Sequence, residues 1–397
     1  MKNKIGLITC HRIPNHGSFL QAWSLCEYLC ELGYDVEIID YIYPNLYHLN
    51  NVHHNEIRRN TDTSNLFMRL KRYVIDRWFV CNRKRGWELA VYRLLNLLLR
   101  NPNKLYFRQL KLSAKSYTSS SELIASKLDY DILISGSDQV WNPRFSGNDG
   151  IFFLQFGNRD IKRVAYSSSF GVSEIGDAYK AQYAEWLGSF SHIATREQSG
   201  TVIVKDIVGR QAVHVLDPVM LFSRRRWAEL LQESKYVEKK TEAYIVTYCL
   251  DYVYKGIIDY ADAIMQRIAE NKGLECATLY KSNLGAKKVK TYSETIHPFE
   301  FVNTIMHADF AIVSSFHGLA FCILLHTPFL VVMDSRETSD SRLLDLLDTF
   351  CLKDRVIITG EEFDVCDLKD IDWNRVDNIY NQMSEISKRY LKNALNG

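Results

Sequence analysis

The chain has 397 residues, 47% of them hydrophobic and 24% charged, with a formal net charge of +2. That composition excludes a disordered or fibrous protein and supplies enough apolar residues for two or three full-sized cores. With nearly balanced charge and no recognisable RNA or DNA module, nucleic acid is not an expected partner.

In chain order, strand and helix patterns alternate. Lys4–Cys10 reads as a buried strand, Ser18–Leu32 has helical apolar spacing that stops at Gly33, and Asp35–Asp40 is the next strand, a βαβ unit. The apolar stretch Ile5–Cys10 is too short for a signal-peptide core and runs into His11 and Arg12, so a cytoplasmic location is expected. Nine cysteines without framework spacing suit reduced thiols. Cys26 and Cys30, four apart on the helix, have no CxxC or HExxH beside them; both read as core, and neither a metal nor a cofactor is expected.

A basic insertion occupies about residues 50–115. Residues 57–100 hold eleven Lys or Arg against three Asp or Glu, a charge of +8 that leaves −6 for the remainder. Among those charges lie Leu66–Met68, Trp78, Phe79, Trp87 and Leu94–Leu99, the mixture that interfacial helices present to anionic lipid. Peripheral contact with an anionic membrane, at the inner face of the cytoplasmic membrane, or contact with a phosphate-rich acceptor, is one expectation. An insertion packed on its own domain is the other.

Further buried strands are expected at Asp131–Ser135, Arg163–Ser168, His192–Thr195 and His214–Leu216, with a helix after Arg196. After the charged segment Arg224–Thr241 the pattern restarts with the strand Ala243–Tyr248 and helices around 256–270, 298–306, 318–326 and 340–349. The apolar run 309–333 is long enough to raise the question of a membrane span, but its serines, His317, His326 and Pro328 divide it into strand, turn, helix and strand. The expected fold is α/β: two doubly wound, Rossmann-like domains facing a cleft, residues 1–222 and 241–372, with a helix in 373–397 crossing back to the first.

Polar residues collect where buried strands give way to helices, the places where α/β proteins bind ligands. Asn15, His16 and Gly17 follow the first strand, where a tight turn brings backbone N–H groups near a ligand, and Gln21 lies one turn on. Neither GxGxxG nor a P-loop is present. Gly136-Ser-Asp-Gln-Val-Trp-Asn-Pro143 ends another strand: Asp138 offers a carboxylate, while Gln139, Trp141 and Asn142 suit a polar-aromatic wall against an acceptor. Thr195-Arg-Glu-Gln198 reads as a capping box, which puts Arg196 at a helix start, unfavourable unless an anion sits there. Ser314-Ser-Phe-His-Gly318 places His317 beside a further anion-suited helix start, and Ser315 there also suits an N-cap.

Asn15-His-Gly17 with Leu20-Gln-Ala22, then Gly136–Pro143, Tyr166-Ser-Ser-Ser-Phe-Gly171, Arg196-Glu-Gln-Ser-Gly200, Leu216-Asp-Pro218, Ser314–Gly318 and Ser341-Arg-Leu-Leu344 together resemble the polysaccharide pyruvyl transferase family. The resemblance covers most of residues 4–357, and residues 57–115 are its least similar part. It implies a fold similar to glycosyltransferase type B, with an acceptor-binding first domain and a donor-binding second. It also implies transfer of pyruvate from phosphoenolpyruvate, a co-substrate, onto a sugar hydroxyl pair as a ketal, the sugar belonging to a lipid-linked precursor of a bacterial capsule or exopolysaccharide.

By the resemblance, His317 is the general acid or a phosphate ligand, and Arg196 clamps carboxylate or phosphate, with Ser315, Phe316 and Gly318 around the donor. Asp138 is the candidate base or acceptor ligand. Some members carry an arginine where this chain has Ser315, so Arg342 or Arg336 is expected to substitute. A nucleotide-sugar glycosyltransferase of the same fold and a non-catalytic sugar-binding relative remain the alternatives.

Overall fold

The computed structural model describes residues 3–13, 15–42, 109–144, 148–250, 256–285, 288–292, 296–334 and 341–396. The basic stretch 57–100 and Arg336 lie outside them.

Parallel strands need crossover connections, and helices used as crossovers cover both faces of the sheet, so the strands read as continuous apolar runs. The first sheet follows that logic with seven strands: β1 Lys4–Ile8, β2 Asp35–Tyr41, β3 Leu112–Tyr117, β4 Ile132–Ser135, β5 Lys162–Ser168, β6 His192–Thr195 and β7 Val213–His214. Their order is β3-β2-β1-β4-β5-β6-β7, every pairing parallel. Its helices are α1 His16–Glu31, α2 Ser120–Ile124, α3 Asp177–Gly188 and α4 Gln198–Val208; α5, Arg224–Glu233, lies in the connection to the second sheet.

The second sheet has six strands, β8 Tyr244–Tyr248, β9 Glu275–Thr278, β10 Lys290–Thr291, β11 Phe310–Val313, β12 Phe329–Met333 and β13 Val356–Ile358, in the order β10-β9-β8-β11-β12-β13. Every residue of β8, β11 and β12 is buried. Around it stand α6 Ile257–Lys272, α7 Pro298–Met306, α8 Phe316–Leu325 and α9 Ser341–Thr349. None of the described helices is long and apolar enough to cross a membrane. Strand order reverses between β1 and β4 and again between β8 and β11. Each reversal leaves a crevice outside the carboxyl ends of the strands, the usual ligand position of such sheets.

An apolar cluster runs without a break from the first sheet to the second. At its waist Trp227 of α5, fully buried, packs on Trp23 of α1 at 5.8 Å and on Phe299 and Phe321 of α7 and α8 at 6.1 and 5.3 Å. The last helix, α10 Trp373–Asn396, ends on the first sheet. There the Tyr390 hydroxyl donates to the Ala165 carbonyl at 2.7 Å and Leu216 N donates to Ser387 Oγ at 2.9 Å.

The α/β architecture agrees with the sequence reading, and several boundaries move. Leu112–Tyr117 falls partly inside the expected insertion yet forms an edge strand; with only Tyr117 buried, it lacks the apolar signature of its neighbours. Helix α5 sits inside the charged segment because only Trp227 and Leu231 are buried on it. Helix α1 starts at His16, two residues before the expected Ser18, since Asn15 is the residue that caps it.

Leu391 of α10 is fully buried against the first sheet's core. Leu391→Ala should lower unfolding free energy by about 2–5 kcal/mol, read as a shift of the urea midpoint at unchanged slope; a shift below about 1 kcal/mol would show that the helix end is not part of that core.

Candidate active site

The carboxyl ends of β4, β6 and β7 bring a charged group together. After β4, Asp138 adopts a left-handed backbone conformation, φ 71°, and its Oδ1 accepts from Gln139 N at 2.9 Å. After β6, Arg196 is 4% exposed. Its Nε donates to Glu197 Oε1 at 2.9 Å, and its Nη1 donates to Asp217 Oδ2 at 3.2 Å and lies 3.9 Å from Asp138 Oδ1. Asp217 follows β7 and also accepts from Ser137 Oγ at 2.8 Å and from Val219 N at 3.1 Å.

From the second domain, α8 reaches into this group with its first turn. Ser315 caps the helix, accepting from Gly318 N at 3.0 Å. The Phe316 ring lies under the Arg196 guanidinium, 4.0 Å from its centroid, where the ring face attracts a cation. His317 Nε2 stands 3.6 Å from Asp217 Oδ2, an ion-pair separation longer than a hydrogen bond. Against the Nδ1 and Cγ atoms of the same ring lies Gly17, the second residue of α1. A Cβ at that position would be 2.5 Å from His317 Cγ and closer still to Nδ1, so no side chain fits there.

Burial alone would raise the Asp217 carboxyl, but His317 and Arg196 beside it hold it well below the usual carboxylate range. Burial likewise works against the charge on Arg196, and Glu197, Asp217 and Asp138 outweigh it. Even so, two donors stay unused: Arg196 Nη2 and His317 Nε2 are buried with no hydrogen-bond partner among the described residues. A buried unpaired donor is costly, and an anion offered to both would remove that cost. A cleft of about 420 Å³ lies between α4 and α9, lined by Ser199, Leu344, Asp345 and Lys353 among others. Neither Arg196 nor His317 lines it, so the convergence of charge, not the size of the cleft, marks the site.

The structure brings Asp138, Arg196, Phe316, His317, Gly318 and Gly17 into one region, and Arg342 of α9 is close enough to act electrostatically on Arg196 and Glu197. Other expectations change. Thr195 does not cap α4: its hydroxyl donates to Glu197 O, and Glu197 is the residue at the cap position. Arg196 therefore precedes the helix, and the charge facing it is carboxylate, which leaves one guanidinium nitrogen, Nη2, for the expected anion.

Trp141 is not a wall but core, fully buried, its Nε1 donating to Phe152 O and its ring stacked on Phe153 at 5.3 Å. Gln21 is also fully buried and bonded to Thr9 Oγ1. His16 stacks on Phe301 of the second domain at 4.9 Å, and its Nε2 meets Ile296 O, so it joins domains instead of facing an acceptor. Asn15 caps α1 by accepting from Ser18 N, and Asn142 donates to Gln139 Oε1 at 2.6 Å. Asp217 and Glu197 were missed as site residues. The Asp-Pro pair after an apolar strand was the available signal for the first.

Residues 15–336 match the family model described as polysaccharide pyruvyl transferase. The chain belongs to that family. Its members transfer pyruvyl groups in polysaccharide synthesis, and the protein is a transferase of that kind. No curated protein matches the sequence significantly. Among solved structures, the UDP-GlcNAc 2-epimerase of Methanocaldococcus jannaschii is similar over 100% of both chains at 11% identity, with a TM-score of 0.50. A UDP-GlcNAc 2-epimerase of Neisseria meningitidis gives 0.45 at 10% identity over 99% of this chain and 94% of its own. A glycosyltransferase of Streptomyces nogalater gives 0.43 at 12% identity over 99% and 98%. At such identities the likeness concerns the fold alone.

Burial holds the His16 imidazole down to about 4 and His297 to about 3, both below the usual value, so both are neutral in the folded protein. A histidine depressed on folding contributes stability that is complete above about pH 6.5 and lost as pH falls through the window toward 4. Melting temperature should therefore drop across that window, and His16→Phe, which keeps the stack on Phe301, should flatten the drop by up to about 3 kcal/mol. An unchanged pH dependence in the variant would show that His16 does not carry it.

Proposed function

We propose that the protein moves pyruvate from phosphoenolpyruvate onto two hydroxyls of one sugar in a bacterial surface-polysaccharide precursor, forming a ketal and releasing phosphate. The observation that carries this reading is the pair of unpartnered buried donors, Arg196 Nη2 and His317 Nε2, where the two domains meet. Phosphoenolpyruvate has a carboxylate and a phosphate, and a site with fixed cationic donors and the first turn of α8 suits such a dianion.

The chemistry needs an acid at C3 and a nucleophile at C2. His317 gives the proton to C3 while a sugar hydroxyl attacks C2, and Asp138 is the candidate to take the hydroxyl proton. The C2–O bond to phosphate then breaks, and a second hydroxyl closes the ring on the same carbon, its proton leaving with the phosphate. Arg196, anchored by Glu197 and Asp217, is fixed in place before the donor arrives, so its remaining nitrogen stabilises developing charge without reorganising. The acceptor is read as a lipid-linked oligosaccharide, which an enzyme resting on an anionic membrane through residues 57–100 would meet at the inner leaflet.

Phosphoenolpyruvate should raise the melting temperature of the full chain in proportion to its excess. His317→Gln should keep the fold and lose about a hundredfold or more in turnover. A melting shift with a UDP-sugar and none with phosphoenolpyruvate would sink the donor assignment. For the membrane, co-sedimentation with anionic vesicles should exceed that with neutral ones at low salt and fade as salt rises; equal, negligible binding throughout would assign the basic stretch to the protein's own packing or to the acceptor.

A further inference from the structure

Cys26 and Cys30 both read as core from the sequence, and the structure separates them. Cys26 is buried on α1, whereas Cys30, one turn on, is half-buried at the edge of the apolar cluster. Beside Cys30 stands Lys111, the exposed residue before β3, whose Nζ donates to Cys30 Sγ at 3.0 Å. The Cys26 thiol donates to the same sulfur from the buried side. Two donors, one of them a full positive charge, thus converge on a residue that solvent reaches. Such a setting favours the thiolate, the form of cysteine that reacts. The Cys26 contact and the Lys111 charge together outweigh burial and the Glu27 carboxylate of the same helix, and hold the Cys30 thiol below its usual range. Cys26 is pushed up by the same contact and by burial, so it keeps its proton. The cluster is distinct from the active site, because Cys30 and Gly17 lie towards opposite ends of α1, roughly 20 Å apart at the helix rise.

We propose that Cys30 is an oxidative modification site that takes hydrogen peroxide, with Lys111 as its paired cation and Cys26 as its second donor. In that step the thiolate sulfur bonds to one peroxide oxygen and the O–O bond breaks. The other oxygen leaves as hydroxide, takes the proton of the bound oxygen and departs as water. Sulfur is oxidised by two electrons, peroxide is reduced by the same two, and the product is a sulfenate facing the Lys111 ammonium. The neighbouring thiol does not convert it to a disulfide while α1 is intact. Residues four apart on a helix hold their Cβ atoms about 5–6 Å apart, and a disulfide needs about 3.5–4.5 Å. Cys26 therefore acts as a hydrogen-bond donor, and the sulfenate persists as an ion pair with Lys111.

The test uses the full chain, with each cysteine read by mass spectrometry after digestion. Iodoacetamide labelling of Cys30 should reach its half-maximal rate at least about one pH unit below that of Cys366, which is more exposed but is raised by Asp364. At neutral pH Cys30 should also label faster than exposed Cys351, although solvent reaches it less. With a few equivalents of hydrogen peroxide, a dimedone adduct should form on Cys30 ahead of both. Lys111→Met, at an exposed side chain, should slow labelling and oxidation of Cys30 by about three- to tenfold at about pH 6, where thiolate is scarce without a cationic partner, and leave Cys351 and Cys366 unchanged. Cys30 reacting no faster than those two, rates unaltered in Lys111→Met, or a Cys26–Cys30 disulfide in place of the adduct would each overturn the proposal. Should the variant not fold, the order of labelling in the parent decides.

Discussion

The Arg196 guanidinium is the constraint on which the rest of the molecule turns. A buried cation is tolerated only when opposite charge and good geometry offset its lost hydration. Here Glu197 and Asp217 supply the charge from one domain, and the face of Phe316 covers it from the other. Removing either contribution would expose the same ion to an unfavourable environment. The site is therefore complete only where the two domains meet.

This explains why the interface is built largely of groups that avoid charge away from Arg196. His16 and His297 are neutral, Trp227 fills the waist, and Gly17 gives up its side chain to admit the His317 ring. Asp345 of the second domain, which accepts from Ser199 N at 3.3 Å and Ser199 Oγ at 2.6 Å of the first, adds a carboxylate to the same interface.

How far the sequence discloses this depends on the range of the interaction. Buried parallel strands such as Phe310–Val313 and Phe329–Met333 announce themselves by unbroken apolar runs, and the positions of His317 and Arg196 follow from where those runs end. Contacts set by distant residues are different. Whether Trp141 faces a ligand or Phe153 depends on the turn Gly150–Phe153, and whether Thr195 caps a helix depends on Glu197 turning instead toward Ser169 and Arg196. Asp217 stands 100 residues from His317 in the chain, and neither local pattern refers to the other. Edge strand Leu112–Tyr117 was hidden for a simpler reason: a strand with only Tyr117 buried has no apolar signature to read.

Helix α10 has a mechanical consequence. Its first turns are fastened to the second domain, with Trp373 stacked on His326 at 4.6 Å, Asp377 bonded to His326 Nε2 at 2.7 Å and Arg375 donating to Cys351 O. Its far end is fastened to the first sheet through Ser387 and Tyr390. At 24 residues it is a strut of roughly 36 Å. A strut held at both ends, and between them by the Tyr380 hydroxyl donating to the Met220 carbonyl at 3.1 Å, ties the two sheets together along a face remote in sequence from α1 and α8. The seat of the His317 ring on Gly17 is thus braced by the last residues of the chain.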